Sequence, residues 1–246
     1  MSLDAIEIGV VCSSGGATAM AAADLYEQVK PGRFSWRVVT DRECGVEAAC
    51  DARNIPYKRF EMKDRSAFSA ASAEYFAQGR EVGCVLLFFL RLVSSDLYGR
   101  FPTLNFHPSL LPAFTGFRPV ERALEAGARF LGSTLHMADS STDGGQIVSQ
   151  AVYPLIGGVS AEIAHRVSYA QKLYLCLGLL EMLDDGVVTF KKAENEGFQC
   201  LFLQDRSGDY LANPALRSPS LVQAYNDFLK SEGLGFCQIP AIEVPQ

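Results

Sequence analysis

The chain has 246 residues, of which 48% are apolar and 20% charged, and its formal net charge is −6. At about 150 residues per domain this is one large domain, or one with a small appendage, with enough apolar surface for a real core. That excludes a disordered, collagenous or disulfide-stapled chain, and the acidic balance gives no broad basic face for a nucleic-acid backbone.

The elements alternate from the start. Residues 6–12 form a compact apolar run that reads as a buried strand, ending in a tight turn at Ser13-Ser14-Gly15-Gly16. Residues 17–29 have helical spacing, 36–40 read as a second strand, and 45–53 as a short helix closed by Asn54 and Pro56. A third short strand at 57–60 precedes a helix at 66–78 with Ser66 as its expected N-cap. Residues 82–90 are the strongest strand and 103–107 another. This alternation predicts an α/β fold with a Rossmann-like, doubly wound, mostly parallel sheet. The pattern then changes. Residues 118–126 are helical, 133–137 and 146–153 strand-like, and 160–183 form a long helix with apolar positions at 3–4 spacing. Ser218-Pro219 starts a last helix running through 221–229. A weak boundary near 190 divides the chain into a main domain, 1–190, and a C-terminal extension, 191–246, of unassigned role.

Seven cysteines are dispersed and none forms a C-x-x-C, which reads as reduced thiols in a cytoplasmic protein. No Cys/His spacing suits a metal. The longest apolar stretch is stopped by Arg91, well short of the roughly 20 residues of a membrane span, and no basic segment opens the chain as a signal peptide would. Only His107, His136 and His165 are available for imidazole chemistry.

The most informative stretch is Leu104-Asn105-Phe106-His107-Pro108-Ser109-Leu110-Leu111-Pro112. Asn105 and His107 are two apart at a strand end, so both point to one face, at the edge where ligands collect in open α/β sheets. An amide donor beside an imidazole suits an oxyanion clamp with an acid/base; the same residues could instead cap the following loop. Asp143, followed by Gly144 and Gly145, reads on its own as a hairpin turn.

Taken together and in order, these stretches resemble the folate-dependent formyltransferases. The matching pieces are 105–112, Gly116, 122–127, 132–136, 143–147 and Gln150, and the resemblance covers about residues 6–190. It implies 10-formyltetrahydrofolate as donor and a primary amine as acceptor, with glycinamide ribonucleotide first and a nucleotide-linked amino sugar as alternative; a non-catalytic folate-binding homologue is the reading from another class. It implies that Asn105 and His107 stabilise the oxyanion and that Asp143 orients the site, keeps His107 suitably protonated and helps remove the amine proton. No metal, nucleic acid or membrane is implied, and a homodimer is left open.

The resemblance also places the ligands. Leu90, Arg91, Leu92 and Val93 match the segment whose backbone holds the pterin ring, with Phe88 where the family has Gly, which is expected to reshape the pocket; His136 stands near the active site. On the acceptor side, Gly15, Gly16, Ala17 and Thr18 match a phosphate loop, although Ala17 and Thr18 replace the usual Ser and Asn. Arg65 matches a phosphate-contacting base, and Gln171 stands where a Glu holds the substrate amine. Arg118-Pro119 leans toward the sugar-amine and methionyl-tRNA branches. His165 reads as surface and Trp36 as core.

Overall fold

The computed structural model describes residues 5–155, 159–194, 196–203 and 213–237. Its frame is a seven-stranded sheet built from β1 (Ile6–Cys12), β2 (Phe34–Thr40), β3 (Tyr57–Arg59), β4 (Val82–Phe88), β5 (Thr103–His107), β6 (Phe130–Met137) and β7 (Ile147–Pro154), in the order β3-β2-β1-β4-β5-β6-β7. The first five strands pair in parallel, whereas β6 and β7 run antiparallel to their neighbours. The central strands β1 and β4 are continuous apolar runs because helices cover both faces.

On one face lie α1 (Ala17–Val29) and α6 (Ala161–Asp184); on the other lie α3 (Arg65–Phe76) and the short α4 (Ser95–Tyr98), with α2 (Gly45–Asp51) and α5 (Pro119–Glu125) at the periphery. Side-chain alternation along β4 sorts the aromatic run between these layers. Leu87 and Phe89 pack with the α3 side, while Phe88 joins the α1/α6 side and stacks on Phe106, with centroids 4.8 Å apart and planes 9° from parallel.

Some boundaries differ from the sequence reading. Asp64, not Ser66, caps α3: its carboxylate accepts the Ala67 N–H at 2.7 Å, while the Ser66 hydroxyl donates to Asp96. α5 starts one residue late because Arg118 is left-handed at φ 51°, and Pro119 takes the first helical position. Ser160 caps α6 through the Ile163 N–H, and Ser218 caps the last helix, α7 (Pro219–Ser231), through that of Leu221.

The described part of 191–246 packs into the same core. β8 (Val188–Lys192) and β9 (Phe198–Phe202) form a hairpin tied to the sheet by the Gln146 amide, which exchanges two 2.9 Å hydrogen bonds with the Cys200 backbone. α7 buries Leu221, Tyr225 and Leu229 in the cluster formed by α1 and α6. Residues 195, 204–212 and 238–246 of the extension lie outside the described residues. All seven cysteines are unpaired. No described helix is long and apolar enough to cross a membrane.

Candidate functional site

The site forms where β5 ends. Asn105 and His107 point to one face, and the antiparallel register sets Asn105 opposite His136 and His107 opposite Thr134. Directly opposed residues share a face, so Asn105 Nδ2 and His136 Nε2 come within 3.1 Å. The loop between β6 and β7 brings in Asp143, itself left-handed at φ 55°. Its Oδ2 lies 3.4 Å from His107 Nδ1 and its Oδ1 lies 3.7 Å from His136 Nε2.

Each ring nitrogen of the two histidines has a partner, and the partner decides its proton. His136 Nδ1 faces the Met137 carbonyl at 3.0 Å and therefore carries a hydrogen. Burial pushes the His136 imidazole below its ordinary pKa, against the opposing pull of that carbonyl and of Asp143. The neutral ring leaves Nε2 as an acceptor, so Asn105 Nδ2 donates to it. That contact fixes the amide orientation and leaves the second Asn105 N–H free. On the buried His107, Nε2–H donates to the Phe114 carbonyl at 3.0 Å, and Nδ1 is turned to the Asp143 carboxylate. Asp143 Oδ2 also accepts the Gly116 N–H at 2.8 Å.

These groups close one end of a cavity of about 330 Å³. Leu87, Phe89 and Val93 form apolar wall, and at the mouth Leu90, Leu92 and Phe117 are 66%, 52% and 81% exposed. Exposed large apolar side chains around one opening mark a surface that takes an apolar group. Arg118, also at the mouth, has a 71% exposed side chain whose one ion pair, to Glu125, is 4.0 Å long.

Asn105, His107, Asp143, His136, Leu90, Arg91, Leu92 and Val93 therefore line one cavity. Arg91 borders it, but its guanidinium also reaches away: it donates to the Met62 carbonyl at 2.9 Å and to Asp41 at 3.3 Å, and lies over the rings of Phe68 and Phe89. Burial alone would raise the Asp41 carboxyl, yet hydrogen bonds from Arg42, Ser13 and Arg91 outweigh it and hold its pKa below the usual value. Phe88 does not reach this cavity, because alternation turns it to the opposite face, so the expected reshaping does not arise there.

The acceptor-side residues are not gathered with the others. Gly15, Gly16, Ala17 and Thr18 form the start of α1, beside the end of β4, where Ser13 Oγ accepts the Leu90 N–H at 3.4 Å. Gly16 is left-handed at φ 66°, and no side chain caps the helix. Arg65 is exposed at the first turn of α3. Gln171 is buried within α6; its amide donates to the carbonyls of Leu131 and Ala151 at 3.1 and 3.3 Å, and its Oε1 accepts from Ser133. His165 is half exposed beside Glu121, and Trp36 is core. The Phe114 carbonyl and the Asp41 carboxylate were not singled out by sequence, and nothing local to either marks it. Gly116 was visible only as a matching glycine.

The family model described as formyl transferase matches residues 10–175. The phosphoribosylglycinamide formyltransferase of Mycobacterium tuberculosis strain H37Rv is 30% identical over 175 residues, covering 68% of this chain and 81% of that one. The chloroplastic phosphoribosylglycinamide formyltransferase of Arabidopsis thaliana is 30% identical over 212 residues, covering 77% and 72%. Among solved structures, glycinamide ribonucleotide transformylase 1 from Symbiobacterium toebii superposes with a TM-score of 0.68 at 29% identity, covering 80% of this chain and 95% of that one.

Proposed function

The chain belongs to the formyl transferase family, and on that premise we propose that it transfers a formyl group from 10-formyltetrahydrofolate to the primary amine of glycinamide ribonucleotide. The observation that carries this reading is the convergence of Asn105, His107 and Asp143 at the closed end of one apolar cavity. The cavity suits the donor: apolar walls for a flat ring system and hydrogen-bonding groups at one end, with Leu90, Arg91, Leu92, Val93 and His136 around it. The bound donor supplies a formyl carbon as electrophile. The free N–H of Asn105 donates to the formyl oxygen as charge develops there; removing one such donor typically costs about 10²–10³ in rate. The amine nitrogen bonds to the formyl carbon, the bond from that carbon to the donor's N10 breaks, and the His107–Asp143 pair takes the proton that the amine loses and returns it to the leaving N10, a contribution of roughly 10²–10⁴. The apolar mouth excludes water, which would otherwise compete for the formyl group.

For the acceptor's phosphate, the uncapped start of α1 at Gly15, Gly16, Ala17 and Thr18 offers backbone N–H groups, with Arg65 as a cation. Gln171 is the weak point of this assignment, since its amide already serves two carbonyls. The second acceptor, a nucleotide-linked amino sugar, is supported instead by the altered phosphate loop, where Ala17 and Thr18 stand in place of Ser and Asn. Both substrates are small anions, which fits a net charge of −6 only if local groups hold them. Unpaired cysteines support a cytoplasmic location, and sedimentation of the purified chain tests for a homodimer.

The deciding experiment follows tetrahydrofolate release from 10-formyltetrahydrofolate with each acceptor, against His107→Ala. Turnover with glycinamide ribonucleotide well above that control is expected. Turnover only with the amino sugar replaces the acceptor, and no binding of the folate overturns the reading.

A further inference from the structure

We propose that Gly116 is a positioning residue: its backbone N–H, presented by a left-handed turn, fixes Asp143 Oδ2 against His107. This rests on the formyl-transfer reading for its kinetic consequences but not for its geometry.

The contacts that hold the pair are made by backbone. The Phe114 carbonyl accepts from His107 Nε2 at 3.0 Å, and two residues later the Gly116 N–H donates to Asp143 Oδ2 at 2.8 Å. Phe114, Gly116 and Arg118 in this loop are left-handed, at φ 55°, 79° and 51°. Two of these are not glycine, and left-handed backbone at such residues persists only where the surroundings over-determine it. The oxygen that faces the imidazole is also the one that Gly116 holds. Without that N–H the carboxylate is free to rotate about its last torsion, and the distance to Nδ1 is no longer set.

The site permits a clean test. A Cβ built on Gly116 meets nothing within 4 Å, so a substitution there changes the backbone preference and not the packing. Gly127, after α5, is matched for backbone: its φ is 67°, a Cβ there also meets nothing, and it lies away from the cavity. Gly116→Ala, Gly116→Asn and Gly127→Ala are compared for kcat, for KM of the donor, for melting temperature and for the ¹⁵N spectrum of the three imidazoles.

Gly116→Ala is expected to lower kcat by about 10- to 100-fold with KM within about 3-fold, the scale of losing a fixed reacting geometry. Gly116→Asn should retain more activity than Gly116→Ala despite its larger side chain, because Asn enters the left-handed region more readily. Gly127→Ala should lose similar thermal stability and keep kcat within about 2-fold. The His107 ring signals should change in Gly116→Ala and not in Gly127→Ala.

Activity of Gly116→Ala within about 2-fold of the parent, or a loss matched by Gly127→Ala, overturns the proposal. So does an order in which Asn is worse than Ala, which would point to crowding of the ligand. If the parent transfers no formyl group to any amine, the functional reading fails, and the imidazole spectra still decide whether Gly116 sets the pair.

Discussion

At the scale of single residues, the site works by assigning protons. The Met137 carbonyl makes His136 a donor at Nδ1 and so an acceptor at Nε2, which commits one Asn105 N–H and leaves the other, the one proposed to meet substrate. Asp143→Asn keeps an oxygen for the Gly116 N–H but removes the charge beside His107. It should fold like the parent and lower kcat by at least about 10². Asn105→Ala removes the free N–H and should also lower kcat by about 10² or more. It leaves the buried His136 Nε2 unpaired as well, so a loss of about 1–3 kcal/mol in denaturant unfolding should accompany it. A variant of either residue with near-normal turnover would take it out of the mechanism. Period-two alternation made Asn105 and His107 readable as a pair. The bond from Asn105 to His136 was not readable, because it depends on the register of β6 against β5, and an irregularity in the β6–β7 pairing sits at Leu135/His136.

At the scale of elements, α6 shows why a matching position need not have a matching role. Gln171 stands where the resemblance implies a group that meets the acceptor amine, yet its amide bridges two strands, donating to Leu131 on β6 and Ala151 on β7. Gln171→Glu would remove both donors and set a carboxylate against two carbonyl oxygens in a buried place. The expected cost is about 3 kcal/mol or more, read as a lower denaturant midpoint, without a gain in acceptor affinity. Unchanged stability with tighter acceptor binding would instead return Gln171 to the substrate site. The strands and the long helix were legible because their apolar runs and 3–4 spacing are local. The start of α5 was not, because Arg118 is left-handed, a conformation that its residue type does not announce.

At the scale of the whole molecule, the core does not end at the expected boundary near 190, since Leu221, Tyr225 and Leu229 join the cluster of α1 and α6. The extension is held by buried polar groups of α6: the Tyr174 hydroxyl donates to the Pro214 carbonyl, and Glu181 accepts the N–H groups of Arg217 and Ser218 at 2.6 and 2.7 Å. No composition shift announces such a seam, since it needs only one carboxylate per turn of chain. Glu181 makes the seam sensitive to pH. Burial pushes its pKa up from 4.5 to about 7, although the Ser218 N–H pulls it down. The folded chain therefore holds this proton more tightly than the unfolded one. Its contribution to stability is complete below about pH 4.5 and is lost as pH rises through about 7. Glu181→Gln resembles the protonated form and does not titrate, though its amide offers one acceptor oxygen where the carboxylate offers two. The parent should thus lose melting temperature relative to this variant between about pH 5 and 8, whatever the offset between them at the acid end. A difference in melting temperature that stays flat across that window would show that Glu181 does not titrate there.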